Sequence, residues 1–96
     1  MLRAEYLPQF ERDAKKLARK HRNLEPLEQA ISLVLQGTSK ARKTLKRRHK
    51  VHALKDVWTG SRECHVTNAG NWLVIWKTGN GLAVLQHTGS HDEPFA

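Results

Sequence analysis

The chain of 96 residues is long enough for one domain, 1–96, with a modest core, since 39% of its residues are hydrophobic. Lys plus Arg number 17 against 9 Asp plus Glu, a net charge of +8, and the pI is near 10.2. That balance points to a nucleic acid, an acidic protein or an anionic membrane surface as partner, while no apolar run reaches the 18 or more residues needed to span a bilayer.

Residues 2–6 read as an opening strand. From Pro8 the pattern is helical, with Leu7, Phe10, Ala14 and Leu17 on one face and Glu11, Arg12, Lys15, Lys16, Arg19 and Lys20 on the other. A second helix is expected from Asn23 as N-cap, with Leu24, Leu27, Ile31 and Val34 inward and Gly37 as terminator. The two make a helical hairpin. Residues 38–55 carry Lys40, Arg42, Lys43, Lys46, Arg47, Arg48 and Lys50 with no acidic residue between Glu28 and Asp56. This stretch reads as a basic loop or helix end that contacts phosphate, with Lys43, Lys46, Arg47, Arg48 and Lys50 as its RNA-binding side chains.

Strands follow. Leu54–Trp58 is expected to turn at Thr59-Gly60-Ser61 into Arg62–Val66. Trp72-Leu-Val-Ile-Trp76 is apolar on both faces, as a central strand is. Gly79-Asn80-Gly81 favours a hairpin to a last buried strand, Leu82–Leu85, followed by a turn at Thr88-Gly89-Ser90. The expected fold is α+β: an N-terminal strand, a helical hairpin, then an antiparallel sheet of three to four strands with helices on one side. Cys64 stands alone, so no internal disulfide is possible and a reducing cytosol fits best. It reads as a small buried hydrophobe rather than a catalytic thiolate. Trp72 and Trp76 read as core, and His49 as solvated.

The chemistry gathers on histidines. His65 alternates with Cys64 and Val66 and so shares the opposite face with Glu63; His52 follows the basic stretch, and His91 follows the last strand. Two imidazoles in opposite protonation states serve as base and acid in attack by a ribose 2′-oxygen on its neighbouring phosphate. Arg62 or lysines of the basic stretch are expected to hold the developing charge. No metal is needed for this, and no tight pair of histidines suggests a metal site. Trp58 is a candidate stacking ring, as is Phe95 near the end.

His52-Ala-Leu54, Trp58-Thr-Gly60, Arg62-Glu-Cys-His-Val66, Asn71-Trp-Leu-Val-Ile-Trp76 and Thr88-Gly-Ser-His91, ending at Phe95, resemble the YafQ branch of the RelE superfamily in order and near spacing. The resemblance covers residues 52–95 in motif and the first half in layout. It implies a microbial-RNase-like fold and a ribosome-dependent mRNA endonuclease without cofactor. It implies contacts to 16S and 23S rRNA and a cognate antitoxin protein as partner. By position it makes His52 and His65 active-site histidines, His91 the general acid, and Phe95 the aromatic that positions RNA. Three positions depart from the family pattern. Asn71 stands where an Asp general base is usual, His87 where an Arg is usual, and Val51 where an Asp is common. The first change moves the base to His65 or His52, and the second leaves Arg62 or a cationic His87 beside the phosphate. The competing expectation is a non-catalytic basic module that binds RNA, ribosome or DNA.

Overall fold

Strand β1 (Arg3–Tyr6) is followed by helices α1 (Pro8–Arg19), α2 (Glu25–Gln36) and α3 (Ser39–Arg48). Then come β2 (His52–Ala53), a 3-10 turn (Asp56–Trp58), β3 (Arg62–His65), β4 (Trp72–Gly79) and β5 (Leu82–Ser90). The computed structural model describes residues 1–20, 23–67 and 71–90; the expectations for His91 and Phe95 lie outside them.

The sheet has five strands in the order β1-β5-β4-β3-β2. The apolar run Trp72–Trp76 is therefore central, flanked by antiparallel β3 and β5. A two-residue turn joins β4 to β5, with φ of 53° at Asn80 and 75° at Gly81. Positive φ at both positions is what a tight hairpin with the right twist requires, and Asn and Gly are the residues that accept it. β1 pairs with β5 in parallel, Arg3 opposite Leu82 and Tyr6 opposite Leu85, so the sheet is mixed rather than wholly antiparallel. A parallel partner is not marked by any local turn signal.

Helices cover one face. Phe10 and Leu17 of α1, Leu27, Ile31 and Val34 of α2 and Leu45 of α3 close over Cys64, Val66, Trp72, Val74, Trp76, Ala83 and Leu85. Trp72 and Trp76 are core residues, and the Trp72 Nε1–H donates to Thr88 Oγ1 at 2.9 Å, which satisfies a buried indole. Pro8 opens α1, and Gly37, at φ 63°, ends α2. Asn23 acts one residue earlier than expected. Leu24 is the α2 N-cap, while Asn23 Oδ1 accepts from the Glu25 backbone N–H at 3.0 Å.

Three expectations are corrected. The basic stretch is mostly helix α3, capped by Thr38, whose Oγ1 accepts from the Ala41 N–H at 3.0 Å. Ala41 and Leu45, four apart, bury its inner side, and α2 packs against this helix while α1 lies on β5. The strand expected at 54–58 is the two-residue β2 just before it, and Asp56–Trp58 is a 3-10 turn. Thr88-Gly89-Ser90 continues β5 instead of turning, held by Thr88 Oγ1–H donating to the Leu73 carbonyl at 2.9 Å.

Candidate active site

Cross-strand register builds a row on the sheet face away from the helices. His52 lies opposite Glu63, Glu63 opposite Ile75, and Ile75 opposite His87. Directly opposed residues point to the same side, so two histidines and a carboxylate share one surface. His65, two residues along β3, stands on the same side, opposite Leu73. Leu73 and Ile75 form the buried apolar floor. The row crosses three strand spacings of about 4.8 Å each, a width that suits a nucleotide between its ends.

Each histidine is held by a different part of the chain. His52 Nε2 is 3.2 Å from Glu63 Oε1, and its Nδ1 is 3.1 Å from the Lys50 carbonyl. Lys50 reverses the chain after α3 with φ 50°, and this left-handed turn aims that carbonyl at the ring. Both neighbours are acceptors. His65 is tied by its main chain: its N–H donates to the His49 carbonyl at 2.7 Å, and its carbonyl lies 2.8 Å from His49 Nδ1. His49 is thus half-buried and bonded, not solvated, and it clamps the end of α3 to β3. His87 Nδ1 is 3.4 Å from Asp13 Oδ2, and its ring meets Trp58 edge-on, with centroids 5.1 Å apart at 81°. Ser61 Oγ–H donates to Gln86 Oε1 at 2.7 Å, tying the start of β3 to the bulge in β5.

Arg62 is not brought to this face. It precedes Glu63 and pairs with Trp76, so alternation turns it to the helix side. There it lines a cleft of about 290 Å³ with Arg42, Lys46, Leu45, Val51 and Trp76. The cleft holds no histidine. Lys46 shares Arg62's side, whereas Lys40, Thr44, Arg47 and Arg48 form one outward stripe along α3, and Lys43 and Lys50 are exposed. Asn71, at the position where an Asp base is usual in the family, donates from Nδ2 to Ser90 Oγ at 3.1 Å. Asp13 sits on α1, far from these residues in sequence, and its part is visible only once β5 lies against that helix.

Cys64 is fully buried in the core, and burial, with the Glu63 charge second, pushes its thiol from 9.0 up to about 12. It is no nucleophile at neutral pH. Among the described residues no group of three or more His, Cys, Asp or Glu is arranged to hold a metal ion.

The family model for the bacterial toxin of type II toxin–antitoxin systems, YafQ, matches residues 2–96. The chain belongs to the YafQ family. It is 30% identical over 91 residues to the mRNA interferase toxin YafQ of Escherichia coli strain B/BL21-DE3, across 95% of this chain and 92% of that protein. Its fold matches the crystal structure of YafQ from the same E. coli strain with a TM-score of 0.83 and 27% identity, each chain covered in full. It matches a YafQ-like chain in the E. coli DinJ–YafQ complex at a TM-score of 0.82 and 28% identity, again over both whole chains. These matches extend the YafQ resemblance, carried in the motifs by residues 52–95, to the N-terminal half.

Proposed function

We propose that this YafQ-family toxin is an endoribonuclease that cuts mRNA in the ribosomal A site and so stops translation. The observation that carries the reading is the shared face of His52, Glu63, His65 and His87, in a chain whose family relatives bear the name mRNA interferase. An imidazole, His65 or His52, takes the proton of the ribose 2′-hydroxyl. The 2′-oxygen then attacks phosphorus, and the 5′-oxygen leaves with a proton supplied by His91. The products are a 2′,3′-cyclic phosphate and a free 5′-hydroxyl. His91 and Phe95 take their roles from the Thr88-Gly-Ser-His91 motif and the terminal aromatic alone. Because Arg62 faces away, charge on the phosphorane falls to the histidines and to Lys77, which shares the Ile75 side of β4. The exposed cations Lys40, Lys43, Arg47, Arg48 and Lys50 grip rRNA phosphates, and no metal takes part. A cognate antitoxin restrains the toxin, as the DinJ–YafQ complex suggests for its relative.

Primer extension on mRNA from expressing bacteria tests this. Cuts in codon register, absent with His65→Ala, are expected. Growth arrest without cuts identifies instead a non-catalytic module that binds RNA, the ribosome or DNA, a reading favoured by Arg62 and Lys46 lying on the side away from the histidines.

A further inference from the structure

A phosphorane needs positive charge on more than one side; on the histidine face alternation along β4 places Lys77, two residues beyond Ile75, and the rest comes from the row itself. Arg62 and Lys46 line the cleft behind the sheet. At the β2 end of the row His52 stands between Glu63 and the Lys50 carbonyl. At the β5 end, three strands away, stands His87. Its ring is 15% exposed, and the carboxylate of Asp13, 12% exposed, approaches its Nδ1 to 3.4 Å. The carboxylate is itself fixed: Oδ2 accepts from the Thr88 backbone N–H at 3.2 Å, and Oδ1 accepts from Gln9 Nε2 at 2.9 Å. The Trp58 ring meets the imidazole edge-on.

We propose that Asp13 is a positioning residue of the nuclease site, holding His87 at the β5 end of the histidine face as the cation that Arg62 cannot supply there. The proposal rests on the nuclease reading. A fixed carboxylate on one ring nitrogen orients an imidazole without itself reacting. Nε2 is then the nitrogen through which His87 meets its other partners, a phosphate oxygen among them. Asp13 has a second, structural duty toward the Thr88 N–H, so the test must separate the two.

The test is a double-mutant cycle on cutting of ribosome-bound mRNA, with melting temperature measured for every variant. Asp13→Asn keeps an oxygen for the Thr88 N–H and removes the charge, together with the acceptor that Gln9 Nε2 uses. It is expected to lower kcat about 10-fold or more with KM little changed. His87→Arg puts a permanent cation at that end, so it is expected to cut, and adding Asp13→Asn to it is expected to cost less than about 2-fold. An equal loss in both backgrounds assigns Asp13 to strand capping and overturns the proposal. So does an inactive but folded His87→Arg, since a cation at that end would then not be what the site uses. A wild type that cuts nothing removes the nuclease reading and this role with it, whereas a cutting wild type unaffected by Asp13→Asn removes only the role.

Discussion

Glu63 and Cys64 are neighbours on β3 and point to opposite sides of the sheet, one toward His52 and the other into the core. The carboxylate still reaches the thiol through the strand, adding to burial in raising it to about 12. In the unfolded chain the thiol ionises near its ordinary 9.0. Between those values the native state holds the extra proton, so stability is intact below about pH 9 and falls as pH rises toward 12, by about 1.4 kcal/mol per unit. Two outcomes follow for one residue pair. The native thiol is expected to resist alkylation at pH 8 and to react on unfolding, and Cys64→Ala is expected to flatten the alkaline decline in urea midpoint. Glu63→Gln is expected to lower the thiolate absorbance midpoint while leaving it above 9, because burial, the larger cause, remains. A midpoint unmoved by Glu63→Gln contradicts the through-strand coupling. The same variant is expected to slow cutting, because it takes the carboxylate from His52.

At the scale of elements, α3 carries the second prediction. Its outward stripe of Lys40, Arg47 and Arg48 lies apart from the histidine face. Replacing all three with Ser is expected to weaken ribosome or RNA binding, most at low salt, and to flatten the slope of log affinity against log salt by about 3. His65→Ala is expected to leave that slope unchanged. An unaltered slope in the triple variant means the phosphate contacts lie elsewhere. What sequence could say about these elements follows from how local their signals are. The β4–β5 hairpin was legible because Gly79-Asn80-Gly81 states its own turn, and α2 because Gly37 ends it. Helix α3 was hidden by its charge, although Thr38 as cap with Ala41 and Leu45 four apart marks it. Alternation placed His65 and Glu63 on the open face, and applied to Arg62 it gives the opposite side. The Asp13–His87 contact and the parallel β1–β5 pairing join segments more than 70 residues apart, and no local pattern encodes them.

Across the whole molecule, the sheet divides labour between its two sides. Toward the helices, apolar residues of β1, β3, β4 and β5 close one core; away from them, the histidine row rests on Leu73 and Ile75. Stability and chemistry are therefore separable by the side on which a substitution falls. Leu27, 3% exposed on α2, belongs to the helix-side core. Leu27→Ala removes most of a buried side chain and leaves a cavity, at a cost of about 2–5 kcal/mol. For a domain of this size that is a fall in Tm of at least about 8 °C. Below the lowered transition, each folded molecule is expected to cut ribosome-bound mRNA at nearly the wild-type rate. His65→Ala is expected to do the reverse, losing about 100-fold or more in rate with Tm close to wild type, since the clamp to His49 runs through main-chain atoms of His65. Measuring Tm by calorimetry beside single-turnover cutting decides the matter. If Leu27→Ala slows cutting by the factor His65→Ala does, or if His65→Ala lowers Tm as far as Leu27→Ala, the two faces are one cooperative unit and the division fails.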